Sequence, residues 1–518
     1  MRLNITLLTF VLCLYGGCSE DVVLQVEKKT VELTPTMTAK FDKGVLTIRT
    51  TKDTEVMPNF DHVAPWYHVA SYITSVIIEP GVGNISNYAF QGCTNLTSVT
   101  LPHSVSVIGT GAFYGCTVLS TVTIPEAVTT IGNYAFAYCS NLSNLTIPDK
   151  VSSIGEGAFM GCNNITSIHI SDLITKIEAY TFQYCSSLTS VTIPASVTSI
   201  GNNAFTGCYG LTSLAIPNAV TSIGENAFYD CRSLTTVTIP DLITTIEPGT
   251  FSSCISLTSV TIPVSVTTIG HSAFYDCRSL TAVTIPDSVT VIGDNSFYAC
   301  SNLTSVTIPA LVTVIGDNAF WGCNSLQSIV LPESLTTIGE NAFWGCSSLT
   351  SLIMPNSVTK VGKYAFLDCG FSSVTISESL STIEFGVFFA NTNLTSIVIP
   401  NSVTKIGTDA FLSCGFTSLS LPESLITIEE GAFWSCRNLT SVDFPASVTK
   451  IGNNAFSDCT NLQDVTVRWL TPLSISFLTF QSVNTHSVNL HIPAGTEHLY
   501  NADPVWKNFN IQTTCSCG

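Results

Sequence analysis

From Phe90 to Phe456 one phenylalanine recurs at 17 positions, separated by 23 residues in 14 steps and by 22 in two. The short steps follow Cys369 and Cys414, where Gly370-Phe371 and Gly415-Phe416 shorten the approach to the next copy. A fixed period of this length marks a stacked array of one small unit, and that excludes most globular folds at once. The chain has 518 residues, which would suggest several domains. No linker rich in Pro, Gly or Ser divides it, so the repeat sets the length.

One copy shows the unit: Leu257, Val260, Ile262, Pro263, Val266, Ile269, Gly270, Ala273, Phe274 and Cys277. Val260 and Ile262 alternate with Thr261, so they face one side of a short strand. Pro263 lacks a backbone N–H and ends it. Gly270 suits a turn that needs positive φ. The three-residue spacing of Phe274 and Cys277 predicts one turn of α or 3₁₀ helix carrying both into the core. The expected fold is an α/β repeat solenoid, with a parallel strand face, short helical or extended return segments, and a cap at each end. One copy cannot bury enough apolar surface to offset the entropy of ordering it, so neighbours must stack.

The run Leu-Thr-Ser-Val-Thr-Ile-Pro-x-Ser-Val-Thr-x-Ile-Gly-x-x-Ala-Phe-x-x-Cys, at Leu188 to Cys208 and again from Leu257 to Cys277, closely resembles the BspA-like leucine-rich repeat. The flanks are similar too. Ala64-Pro65-Trp66-Tyr67 leads into Ile77-Ile78-Glu79-Pro80-Gly81-Val82, and Ile492-Pro493-Ala494-Gly495-Thr496 is followed by Trp506 and Phe509. The resemblance implies a leucine-rich repeat solenoid over residues 76–465, an N-terminal cap segment over 19–75 and a C-terminal cap over 466–512. It also implies a surface or secreted protein that acts as an adhesin or antigen and binds host or extracellular-matrix proteins. A coat or decoy antigen without a defined ligand is the alternative. The family offers no shared binding motif to transfer residue by residue.

Composition narrows the partners. Eighteen Lys and Arg against 36 Asp and Glu give a formal charge of −18, and the basic residues are scattered singly, which argues against nucleic acid and anionic membrane surfaces. Arg2, the apolar run Ile5 to Tyr15 and the small residues Gly16 to Ser19 form a secretory-signal pattern, with roughly the first 18 residues removed. A lipidated Cys18 is the other reading. No later stretch reaches the ~18 apolar residues of a spanning helix. The expected location is secreted or on the outer face of the cell.

Sixteen of the 20 cysteines lie three residues after the repeat phenylalanine. Neighbouring copies would sit within bridging distance, but the run of 13 from Cys93 to Cys369 and the run of three at Cys414, Cys436 and Cys459 are odd, with Asn391 between them. Buried thiols acting as small hydrophobes are the favoured reading over bridges. No Cys and His pairs have metal-ligand spacing, so neither a metal nor a cofactor is expected. Cys515 and Cys517 form a tail at 513–518 suited to crosslinking a partner or to a local bridge.

Two rows are candidate binding surfaces. At the outward strand position ten of 17 copies carry Thr, a β-branched residue suited to an exposed strand. Val330 and Ile353 break that hydroxyl row and could seat a partner. The residue after the repeat phenylalanine gives a second row, in which Tyr275, Tyr298, Trp321 and Trp344 are consecutive. They either pack over the core edge or form a protein or glycan contact stripe. Glycosylation triplets begin at Asn84, Asn95, Asn141, Asn144, Asn164, Asn302, Asn393 and Asn438. Six of them lie five residues after the phenylalanine, at the entry to the strand. The eight His never share a register, and no nucleophile, base and oxyanion stabiliser converge in sequence, so no catalytic residue is assigned.

Overall fold

The computed structural model describes residues 30–60 and 63–513. The candidate signal at 1–18, His62, Cys515 and Cys517 lie outside them. The chain forms two compact units, Met1–Arg232 and Ser233–Gly518.

In the first unit, strands β1 (Thr30–Glu32), β2 (Met37–Asp42) and β3 (Val45–Thr50) form an antiparallel sheet. Lys43 and Gly44, with φ of 50° and 82°, make the tight turn between β2 and β3, a two-residue hairpin connection that requires positive φ twice. Strand β3 pairs in parallel with β4 (Ser75–Ile78), which pairs with Ser98–Thr100 of the next turn. From there each repeat contributes a short strand to parallel ladders; Ser167, Ile168 and His169 stand opposite Ser190, Val191 and Thr192.

The second unit continues the pattern with a five-stranded ladder from Thr236–Thr238 to Ser328–Val330 and a six-stranded one from Thr245–Ile246 to Lys360–Val361. Strand Ser259–Thr261 buries Val260 and exposes Ser259 and Thr261, as the alternation requires. A parallel sheet from Ser418–Ser420 to Asn510–Thr513 ends the unit.

The helical half of the expected α/β description is not what forms. Among the described residues the one α-helix is Glu497–Ala502, beside four short 3₁₀ segments, and the return segments are runs of turns. Their hydrogen bonds give the reason. Ala273, Tyr275 and Cys277 donate back three residues, to Gly270, Ser272 and Phe274, as a 3₁₀ helix would. The alternate amides of Ser272, Phe274 and Asp276 instead donate to Asp294, Ser296 and Tyr298 of the next turn, at 2.9, 2.9 and 2.7 Å. Ser272 and Asp276 adopt φ of 55° and 58°, and residues in that region cannot propagate a right-handed helix. The segment therefore satisfies half its donors locally and half along the stack.

The repeat phenylalanines form the spine of each unit. Phe274 is fully buried and lies 5.6 Å from Phe251 and 5.4 Å from Phe297, with planes 10° apart in both pairs. Trp66 stacks on Phe90 at 5.9 Å in the first unit, and Phe480 stacks on Phe456 at 5.6 Å in the second. Aromatic residues outside the 17-membered register thus extend both stacks by one ring.

The sixteen repeat cysteines are buried thiols, and no disulfide joins them. At least fourteen of them play a polar part that the small-hydrophobe reading omits. Cys116 Sγ donates to the carbonyl of Phe90 at 3.2 Å, Cys300 to Phe274 at 3.2 Å and Cys414 to Phe388 at 3.1 Å. Asn391, the one break in the run, donates from Nδ2 to Phe366 O at 2.9 Å, the equivalent carbonyl. The position selects a small buried donor aimed at the preceding turn. Burial pushes the thiols of Cys185 and Cys346 up to about 12, so they stay protonated and unreactive in the folded chain.

Candidate binding surfaces

The outward strand row places Val330 beside Ile353, on the neighbouring strands Ser328–Val330 and Ser351–Ile353. Ile353 stands opposite Thr375, and Thr375 bridges to Val398. Val330, Ile353 and Val398 are 68%, 72% and 80% exposed. Strand geometry dictates this: their neighbours Ile329, Leu352 and Ile399 point the other way, so the outward side chains have only water above them. The result is an aliphatic strip set in hydroxyl side chains. Val398 lies one turn further along, with Thr375 between it and Ile353.

The aromatic row is built differently. Tyr275 and Tyr298 stack face to face at 4.6 Å and 7°, and Tyr298 and Trp321 at 4.4 Å and 4°. All three are half-buried, and they spend much of their ring surface on one another. Trp344 breaks the pattern, with its plane turned 61° from Trp321 at 6.1 Å and 38° from Tyr364 at 5.8 Å. Tyr364 meets Phe385 edge-on at 4.9 Å. Tyr364 and Phe385 come from other registers of the repeat, which is why a scan of one register misses them.

An open trough of about 510 Å³ runs beside Trp321 and Trp344. Ala299, Gly322 and Gly345 line it, and each is left-handed, with φ of 56°, 69° and 75°. A Cβ added to Gly345 would find no atom closer than 3.8 Å, so the space is real. In the flanking copies the same position carries Asp276 and Asp368, which close the two ends. Ser301, Asn324 and Ser347 supply a polar margin. Arg278 holds Asp276 in a two-pronged ion pair at 2.7 and 3.0 Å, a geometry that fixes both side chains. The signal in the sequence is Trp-Gly-Cys in two consecutive copies, Trp321 to Cys323 and Trp344 to Cys346.

Of the candidate glycosylation sites, Asn84 is half-buried, and its Oδ1 accepts from the Met57 amide at 2.6 Å. Asn95, Asn141, Asn144, Asn164, Asn302, Asn393 and Asn438 are exposed. Asn95 Nδ2 donates to Ser71 O at 2.7 Å.

The titratable groups serve packing and caps. Glu55 is 9% exposed at the side chain and accepts from the hydroxyls of Thr50, Thr34 and Thr36, with Lys52 at 3.6 Å. Those bonds, led by Thr50 and Thr34, hold its carboxyl at about 2. Glu429, in a turn position usually occupied by Gly, lies between Lys405 at 3.3 Å and Lys450 at 2.7 Å from the two adjacent turns. Among the described residues, no group of three His, Cys, Asp or Glu is placed to hold a metal ion. Nor is any helix there long and apolar enough to cross a membrane.

Comparison with known proteins agrees with this geometry. The family model described as "BspA type Leucine rich repeat region (6 copies)" matches residues 66–189, 175–291, 267–389 and 385–502. Among solved structures, a leucine-rich repeat protein from Bacteroides ovatus is 25% identical, with a TM-score of 0.50, over 84% of this chain and 94% of that one. One from Eubacterium ventriosum is 24% identical, with a TM-score of 0.40, over 75% and 95%. A leucine-rich cell surface protein from Faecalibacterium prausnitzii is 23% identical, with a TM-score of 0.29, over 84% and 94%. No curated protein matches the chain. The repeat register, the parallel ladders and the family match over most of the length together place the chain in the BspA-type leucine-rich repeat family.

Proposed function

We propose that this chain is a secreted or cell-surface protein that is not an enzyme and that binds proteins of host cells or of the extracellular matrix through a repeat face. The observation that carries the reading is the row of Val330, Ile353 and Val398, three aliphatic side chains 68–80% exposed on a face that otherwise carries mostly Thr and Ser. Leaving such side chains in water forgoes the burial free energy each would gain at an interface, about 1.5–3 kcal/mol for a fully buried Val or Ile. Val330 and Ile353 are adjacent, with Val398 one turn beyond Thr375, and clustered exposed apolar residues mark contact sites. The signal-like start supports export, and the exposed Asn-x-Ser/Thr sites would accept glycans in a secretory pathway that makes them.

The test is capture of immobilised extracellular-matrix proteins by the full chain, alongside Val330→Thr, Ile353→Thr and Val398→Thr, which restore the hydroxyl row. The reading expects saturable binding that the triple variant loses at unchanged thermal stability. Retention of no matrix or host-cell protein would leave the coat or decoy reading standing instead.

A further inference from the structure

We propose that the trough beside Trp321 and Trp344 is a binding site for a neutral oligosaccharide, with Trp344 as the stacking platform. This surface is separate from the aliphatic strip, and neither reading depends on the other.

The shape comes first. The trough, about 510 Å³, falls within the usual range for small-ligand sites, roughly 300–1,000 Å³, but it is open and elongated rather than enclosed. Its floor exists because Ala299, Gly322 and Gly345 lack the side chains that Asp276 and Asp368 carry at the same left-handed position. Three consecutive turns thus leave a gap that two aspartates bound.

The chemistry of the walls is mixed in a particular way. A pyranose has apolar C–H faces and a rim of hydroxyls. The π face of an indole carries partial negative charge and attracts the weakly positive C–H groups. Tyr275, Tyr298 and Trp321 cover one another in parallel, whereas neither aromatic neighbour of Trp344 lies parallel to it. Of the two indoles lining the trough, Trp344 is the one without a parallel aromatic neighbour, and Tyr298 stacked on Trp321 holds that ring in place. Ser301, Asn324, Ser347, Asp276, Arg278 and Asp368 present the hydroxyl, amide, carboxylate and guanidinium groups that pair with sugar hydroxyls, directly or through water.

Charge and spacing choose among occupants. Aspartates at both ends and a net charge of −18 oppose an anionic chain. The margin residues recur once per solenoid turn, about 4.8 Å apart, close to the length of one pyranose ring. An extended peptide advances about 3.3 Å per residue and falls out of step with that ladder.

The experiment titrates the full chain with three neutral hexasaccharides, of β-1,4-linked glucose, mannose and N-acetylglucosamine, read by tryptophan fluorescence and calorimetry. At least one should bind saturably, and a sulfated heparin hexasaccharide should not. Trp344→Ala should weaken binding about tenfold or more, the scale of a central aromatic contact. Gly345→Asp should do the same without disturbing the fold, because Asp276 and Asp368 already occupy that position at φ of 58° and 53°. Trp434→Ala, in the same register but bonded to Asp458 outside the trough, should leave binding unchanged. Absence of binding by all three hexasaccharides overturns the proposal. So does binding that both trough variants leave intact, or a proline-rich peptide that binds the trough when the hexasaccharides do not.

Discussion

Every copy holds left-handed backbone at two positions, Ser272 and Asp276 in one of them, and neither is the glycine that the repeat carries most often. Gly270 lies outside the left-handed region, contrary to the expectation from the sequence; a Cβ there would fall 2.7 Å from Ile246 O and 2.9 Å from Pro248 N. That glycine admits the backbone of the previous turn. The left-handed positions tolerate Asn, Asp, Ser and even Tyr, and most of the tyrosines share an arrangement. Tyr134, at φ 52°, lays its ring where a Cβ on Gly157 of the next turn would be, 2.4 Å from Cε1. Tyr88 with Gly111, and Tyr364 with Gly386, repeat the arrangement. Bulky residues at positive φ are rare, and three of the four tyrosines at this position are followed by a glycine one copy later; Tyr180, followed by Asn203, is the exception. Asn occupies this position in three consecutive copies, Asn295, Asn318 and Asn341, at φ of 54–56°, so Asn brings little backbone strain. Gly157→Asn alone should destabilise the first unit by about 1–3 kcal/mol, because the Tyr134 ring must leave the place it occupies. Adding Tyr134→Asn should recover most of that loss. Urea melts of the two single variants and the double variant check it, and additive losses would refute the pairing.

At the scale of the element, the edge of the first sheet is fastened by one carboxylate. Glu55 gathers Thr34, from the β1–β2 connection, Thr36, and Thr50 at the end of β3. Its folded value of about 2 lies below the ordinary carboxylate value of about 4.3. A depressed folded value means that the ionised form stabilises the fold, fully so above the ordinary range, and that this contribution fades as pH falls from about 4 towards 2. Amide protection factors in β2 and β3 should drop across that window, and Glu55→Gln should flatten the change. An unaltered pH profile in the variant would assign the effect elsewhere. This cap was illegible in the sequence, because its three hydroxyls come from separated segments with no spacing rule. The strand of the repeat was legible, since Val260, Thr261 and Ile262 alternate and Pro263 stops them. The return segment misled because Phe274 and Cys277 have helical spacing, whereas the donors between them serve the next turn. The candidate rows were legible as rows. What the sequence hid is orientation: which rings stack on each other, and that Trp344 alone turns.

Within each unit, a turn meets chiefly the one before and the one after, and the thiol bonds show it, since they join residues 25 or 26 apart. Stability in such an array is the sum of each turn's own cost and its two interfaces. The aromatic stack shares that logic. Phe320 is fully buried, lying 5.4 Å from Phe297 and 5.3 Å from Phe343, so removing it damages two interfaces at once. Phe320→Ala should cost about 3–5 kcal/mol, the usual figure for deleting a buried ring. Because the turn also donates amides to the next turn, with Phe320 N to Ala342 O at 2.8 Å, the lost packing loosens hydrogen bonds that belong to both. Hydrogen exchange should then show protection falling first around Phe297, Phe320 and Phe343. The sheet from Ser418–Ser420 to Asn510–Thr513, fastened by Phe480 and Trp506, should keep its protection. Uniform loss throughout the second unit would mean that it opens as one cooperative block, and the one-dimensional account would fail.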